Sequence, residues 1–270
     1  MSRGLESDNL WPMNNLTTDL LVDTAGGVTT LTIHRVAKKN AFTAAMYAGM
    51  ADVLDQAQAD PTVRALVIQG HETIFSAGND IADFLQTPPT TLDAPVFRFM
   101  RAISSFTKPI VAAVCGPAVG IGTTLLFHCD LVYAGDNAAF SMPFVNLGVC
   151  PEAASSLLAP QRMGYGRAAE ALMLGEPFLA EAALEMGLVS RIVPPAEVNA
   201  LAQRQAQKLA AKPMSALLAT KRLMKQGQAT LVAERMTEES TLFGQMLGQP
   251  AAQEAFSAFM EKRKPDFSSL

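Results

Sequence analysis

Cysteine, histidine and surplus positive charge are all scarce in this sequence, and each scarcity removes a class of function. Three cysteines, Cys115, Cys129 and Cys150, are odd in number and show no Cys-x-x-Cys spacing, which argues against a disulfide framework or a zinc site. A reducing cytoplasm is the compartment expected from them. Lys and Arg total 21 against 25 Asp and Glu, a net charge of -4, so no general positive field draws the chain onto nucleic acid or anionic lipid. Neither nucleic acid nor membrane is an expected partner. No apolar run reaches the roughly 18–20 residues that span a bilayer. Residues 1–16, with Glu6, Asp8, Asn9, Asn14 and Asn15, read as too polar for a signal peptide. The final Ser268-Ser269-Leu270 lacks the central basic residue of a peroxisomal address. There is no G-x-S-x-G elbow and no G-x-x-x-x-G-K-[ST] loop, which takes away the main support for a serine hydrolase or a P-loop phosphotransferase. The histidines, His34, His71 and His128, form no pair with metal-ligand spacing, and structural roles are expected for them.

What is present is a globular composition, 49% hydrophobic and 17% charged over 270 residues, enough for one large domain or two modest ones. Thr18 to Asp23 and Val28 to His34 alternate and are β-branched, and Gly26-Gly27 lies between them, so an opening hairpin is expected. Thr43 can cap a helix that runs to about Asp60, where Pro61 ends it. Ala65 to Gly70 and Pro109 to Val114 are short continuous apolar runs of the kind found in buried parallel strands, and Leu131 to Ala134 reads as another strand. Helices are expected over Leu92 to Phe106, Gly120 to His128 and Ala154 to Met163. This alternation implies an α/β fold with a mostly parallel sheet and ligand chemistry at the carboxyl ends of its strands. After about Val193 the spacing is helical throughout: Pro195 to Ala210, Met214 to Gln226, Thr230 to Leu247 and Pro250 to Lys262. Rich in alanine, these four helices are expected to pack on the sheet or on a neighbouring subunit. The chain therefore divides into a sheet-bearing region, 1–195, and a helical region, 196–270.

Three segments carry candidate chemistry. Phe75-Ser76-Ala77-Gly78-Asn79-Asp80 follows a strand, and its glycine can turn the backbone so that amides point outward. It also fits an ordinary turn with Asp80 as a helix N-cap. Val114-Cys115-Gly116-Pro117-Ala118-Val119-Gly120-Ile121-Gly122 has the same strand, glycine loop, helix order. Two such loops in one sheet can supply the two N–H donors of an oxyanion hole. In Pro143-Phe144-Val145-Asn146-Leu147-Gly148-Val149-Cys150-Pro151-Glu152, the carboxylate of Glu152 stands among apolar and small residues. Desolvation would raise its pKa and suit it to proton transfer near neutrality, whereas a glutamate in a first helical turn behind Pro151 is the plainer reading. Gly164-Tyr165-Gly166-Arg167 matches a lax dinucleotide fingerprint, but a helix precedes it where a strand is required, so it reads as a turn between helices.

Taken in order, the three segments resemble the crotonase (enoyl-CoA hydratase/isomerase) superfamily, over about Leu20 to Phe267. The resemblance implies a crotonase-like (ClpP/crotonase) fold of repeated β-β-α units with C-terminal helices, assembled as a trimer or a dimer of trimers. It implies an acyl-CoA thioester substrate, no cofactor beyond the coenzyme A of that substrate, and an oxyanion hole from the amides of Asn79 and Ile121. Substrate contacts are implied for Lys38, Ala41, Ala77, Gly78, Asp80, Ile81, Gly120, Phe144 and Leu147, and for Phe256, Phe259 and Lys262 on the last helix of a neighbour. Lys38 and Lys39 also fit a solvated surface pair. At the positions of the two glutamates with which hydratases handle water, this sequence has Thr124 and Phe144, neither of which exchanges protons as a carboxylate does. In those features it looks like the peroxisomal-type Δ3,Δ2-enoyl-CoA isomerases, whose one glutamate matches Glu152. The expected activity is thus a double-bond shift, with hydration of 2-enoyl-CoA and a non-catalytic acyl-CoA-binding module as the alternatives.

Overall fold

The computed structural model describes residues 17–89, 91, 93–268 and 270. The polar segment 1–16, Leu92 at the expected start of one helix, and Ser269 lie outside the described residues. The opening hairpin forms from β1 (Leu20–Ala25) and β2 (Val28–Ile33), paired antiparallel. Gly26 and Gly27 both have positive φ, 59° and 77°, the requirement of a two-residue turn whose twist matches its strands. Helix α1 (Ala44–Ala59) starts where the Thr43 hydroxyl accepts the Met46 amide at 3.2 Å, and Asp60 is extended ahead of Pro61.

Strands β3 (Ala65–Gln69), β4 (Ile110–Val114), β6 (Leu131–Gly135) and β9 (Arg191–Val193) extend the hairpin in parallel, giving the sheet order β1-β2-β3-β4-β6-β9. A second sheet joins β5 (Pro117–Val119), β7 (Ala139–Ser141) and β8 (Phe178–Leu179). Each of β4 and β6 is followed by a short strand of this second sheet. Ser76, after β3, pairs with Ala118 in the same parallel sense, so the β-β step recurs. The sequence gives no warning of β5, β7 and β8, because two or three residues cannot display a period.

Between the strands run α2 (Ile81–Gln86), α3 (Pro95–Ser105), α4 (Ile121–Thr124), α5 (Ser155–Met163), α6 (Tyr165–Ala169) and α7 (Ala180–Glu185). The helix expected from Leu92 is set by Pro95, which occupies its first turn. The one expected over Gly120 to His128 divides into α4 and a 3-10 turn, Leu125–His128. Gly164, at φ 78°, separates α5 from α6, as the reading of that segment as a turn requires.

Four helices complete the chain: α8 (Pro195–Ala210), α9 (Met214–Gln226), α10 (Ala229–Leu247) and α11 (Pro250–Glu261). The sheet is covered on both faces, and strand periodicity assigns the sides. Leu66, Ile68, Ile110, Ala112 and Val114 join α1 and α3 in the larger core. Their alternates Ala65, Val67, Val111 and Ala113 meet Val198, Leu201, Ala202 and Ala206 of α8. Helix α8 therefore takes its core from the sheet, whereas α10 and α11 reach the other side, where Phe243 and Phe256 join the larger core.

Candidate active site

Two loops at the carboxyl ends of β3 and β4 lie side by side. The amides of Phe75 and Ser76 donate to the Pro117 carbonyl at 3.2 and 3.1 Å, and the Val119 amide donates to Ser76 at 2.9 Å. Gly78, at φ 85°, makes the contact possible: a Cβ there would sit 2.8 Å from the Val119 carbonyl oxygen. A third segment, after β2, holds the first loop in place. Buried Asn40 donates to the carbonyls of Ile74 and Phe75, both at 3.1 Å, and the Ala77 amide donates to Lys39 at 2.9 Å. The amides of Asn79 and Ile121 have no acceptor among the described residues. Two backbone donors left open beside one cavity are what an oxyanion hole needs.

Glu152 is buried, and its Oε1 has no hydrogen-bond partner among the described residues. Leaving such a group unpaired costs about 1–3 kcal/mol. Its carboxyl is pushed up to about 8, first by burial and then by the negative charge of Glu239. The plainer reading, a first-turn helix glutamate, does not hold: α5 begins only at Ser155, and Ala153 and Ala154 between them are both left-handed, with φ 58° and 56°. Such a turn needs anchors. His128 Nε2 meets the Ala153 carbonyl at 2.8 Å, and burial drives the imidazole down to about 4, so it is neutral and donates. Glu239 of α10 accepts from the Ala154 amide at 2.6 Å and the Ser156 amide at 3.0 Å. In sequence Glu152 is a lone carboxylate; folding brings Glu239 beside it, and no local signal announces that.

Glu152 and the two loops line one cavity of about 520 Å³. Ala41, Ala77, Gly78, Asn79, Asp80, Ile81, Gly120, Ile121, Phe144 and Leu147 all contribute to its wall, and exposed Lys38 and Lys39 stand at the edge. Phe256 and Phe259 of this chain's own α11 also line it, because α11 packs on the Val145–Leu147 turn. A Cβ at Gly148 would lie 2.7 Å from the backbone of Ala251, so that glycine permits the approach. Lys262 caps the end of α11 and is not part of the lining. Phe84, Phe243 and Met260 complete the apolar wall, and sequence reading singles out none of them. Asp80 has both roles foreseen for it. It lines the cavity, and its carboxylate caps α2 through Ala82 and Asp83 while pairing with Arg35 at 2.7 Å. Among the lining residues described, Glu152 is therefore the one carboxylate free of a cation. Thr124 is buried outside the lining, and Phe144 presents a ring to the cavity. Behind Asn79, the buried Tyr47 hydroxyl donates to its Oδ1, and burial raises that phenol well above its usual range.

Open paired amides, a glutamate of raised pKa and an apolar cavity at strand ends are the parts with which a site can stabilise an enolate and move a proton. The chain belongs to the enoyl-CoA hydratase/isomerase family, which it matches over residues 23–269. It is 32% identical over 250 residues to the 2,3-dehydroadipyl-CoA hydratase of Escherichia coli K12, covering 92% of this chain and 98% of that one. It is 36% identical over 228 residues to enoyl-CoA delta isomerase 2 of Rattus norvegicus, covering 82% of this chain and 58% of the longer rat protein. The solved structure of Pseudomonas aeruginosa OdaA is similar at a TM-score of 0.88, with 47% identity and coverage of 90% and 99%.

Proposed function

We propose that this enzyme shifts the double bond of a 3-enoyl-CoA to the 2-position, with Glu152 as the single acid and base. The observation that carries the reading is that Glu152 is the one uncompensated carboxylate among the described lining residues, while the two positions suited to water chemistry hold Thr124 and Phe144. Hydration needs one group to activate water and another to deliver a proton; a double-bond shift needs one group that does both in turn.

In the proposed cycle the thioester carbonyl accepts from the amides of Asn79 and Ile121. Ionised Glu152 takes a proton from C2, and the electron pair of that C–H bond enters a dienolate whose charge rests on the carbonyl oxygen. The dienolate then takes the same proton back at C4, leaving the double bond between C2 and C3 and Glu152 ionised again. Each open amide contributes about 10²–10³ in rate by the usual measure of such donors. Phe144 and Val149 in the wall keep water from exchanging with the carried proton. Lys38 and Lys39 at the rim suit the phosphates of coenzyme A, and the reaction uses no further cofactor. The three free thiols fit a cytoplasmic enzyme. Assembly as a trimer or paired trimers completes the proposal.

Pure protein is tested separately with a 3-enoyl-CoA and a 2-enoyl-CoA, alongside Glu152→Gln. Formation of 2-enoyl-CoA by the parent protein, falling at least about a thousandfold in the variant, is the expected result. Net formation of 3-hydroxyacyl-CoA from the 2-enoyl substrate as the faster reaction makes it a hydratase, the activity named for the E. coli relative.

A further inference from the structure

The proposed double-bond shift leaves one buried acid behind the cavity wall, Glu239, without a task. We propose that Glu239 is a positioning residue for Glu152: its carboxylate clamps the left-handed turn that follows the base and keeps a second negative charge beside it. The inference rests on the isomerase reading, because it names what sets the acid and base of that reaction.

Two consecutive alanines in left-handed geometry do not persist on their own preference. The Ser155 amide closes the turn onto the Glu152 carbonyl at 3.0 Å, and side chains add three further bonds: His128 to the Ala153 carbonyl at 2.8 Å, Ala154 to Glu239 at 2.6 Å and Ser156 to Glu239 at 3.0 Å. Together they fix the peptide groups just after Glu152, and so fix where its side chain enters the cavity. Glutamine could receive only one of the two amides on its single carbonyl oxygen, because Ala154 and Ser156 donate to different oxygens of Glu239. The charge does what a neutral acceptor would not: it disfavours a second anion nearby and so favours the protonated form of Glu152. Burial pushes Glu239 itself up, opposed by its bonds to Ser156 and Ala154 and by Arg235, which also donates to Ser156 Oγ at 3.0 Å.

The surrounding ionisable groups are few, and most are already committed. On α10, Arg235 pairs with Glu238. Cys150 precedes Glu152, with its thiol pushed up to about 11 by burial, and Tyr47 reaches in from α1. The helices packed on α10 are α3, α5 and α11. They bring Arg98, paired with Asp52 and Asp55; Arg101; Arg162; and Glu254 and Glu261, both paired with Arg263.

The test is the pH profile of kcat/KM on a 3-enoyl-CoA for the parent protein, Glu239→Gln and Glu239→Asp. It is run beside a ¹³C NMR titration of the glutamate δ-carbons, with Glu152 assigned through Glu152→Gln. In Glu239→Gln the acid limb and the Glu152 midpoint should both move down by about half a pH unit or more. Plateau kcat should fall about tenfold or more as the turn loosens. Glu239→Asp keeps the charge, so its midpoint should stay with the parent while kcat still falls. An unmoved midpoint in Glu239→Gln, or an equal shift in Glu239→Asp, overturns the proposal. Should Glu239→Gln fail to fold, the parent titration decides: Glu239 must remain ionised while Glu152 titrates, and proton uptake by Glu239 in that range overturns the proposal. The midpoints do not depend on turnover. A shifted midpoint in a protein that does not isomerise 3-enoyl-CoA defeats the reaction assignment and leaves the role of Glu239 standing.

Discussion

The burial that raises the Glu152 carboxyl, and would suit it to the proposed proton transfer, also makes its charge costly to the folded state. Its carboxyl lies near 8 in the folded chain against an ordinary 4.5. The folded state therefore holds a proton that the unfolded state has released, so stability falls as pH rises through this interval and levels off above it. Glu152→Gln has nothing to release. Unfolding by urea at about pH 5 and about pH 9 should show the variant gaining on the parent by on the order of a few kcal/mol at the higher value. A difference that stays constant with pH would mean that burial does not set the proton on Glu152. His128, held neutral against the Ala153 carbonyl, is common to both proteins and cancels in the comparison.

Among the elements, the pairing of the β3 and β4 loops decides whether the two open amides share one target. Gly78→Ala places a Cβ 2.8 Å from the Val119 carbonyl on a backbone at φ 85°. The neighbour is main chain and has little room to yield, so the loops must separate. We expect kcat to fall by about 10²–10³, the loss seen when one oxyanion donor is misplaced, with the circular dichroism spectrum retained. Full activity in that variant would show that the donors do not depend on the contact. Similar reasoning explains α11, which reaches the cavity because Gly148 lets the Ala251 backbone approach.

For the whole molecule, α9 and α10 carry Leu223 and Met224, 65% and 70% exposed, with Leu231 and Leu242 also in solvent. Apolar side chains this numerous on adjoining helices suit a contact with further copies of the chain. Light scattering on the purified protein should give the mass of three or six chains, and a single-chain mass at micromolar concentration would contradict the proposed assembly. No helix among the described residues is long and apolar enough to cross a membrane.

Features that are local or periodic are legible in the residues alone: the Gly26-Gly27 hairpin, α1 behind Thr43, the buried runs of β3 and β4, the four closing helices, and the three segments that line the cavity. Each is legible because turn chemistry, capping and hydrophobic period act over a few neighbouring residues. The second sheet, the placement of Phe256 and Phe259 over their own chain's cavity, and the arrival of Glu239 beside Glu152 were decided only by tertiary structure. Strands of two or three residues have no period to read. The charge that acts on Glu152 belongs to a helix remote in sequence, and electrostatic coupling follows distance in space, which the chain acquires only when α10 packs against the turn.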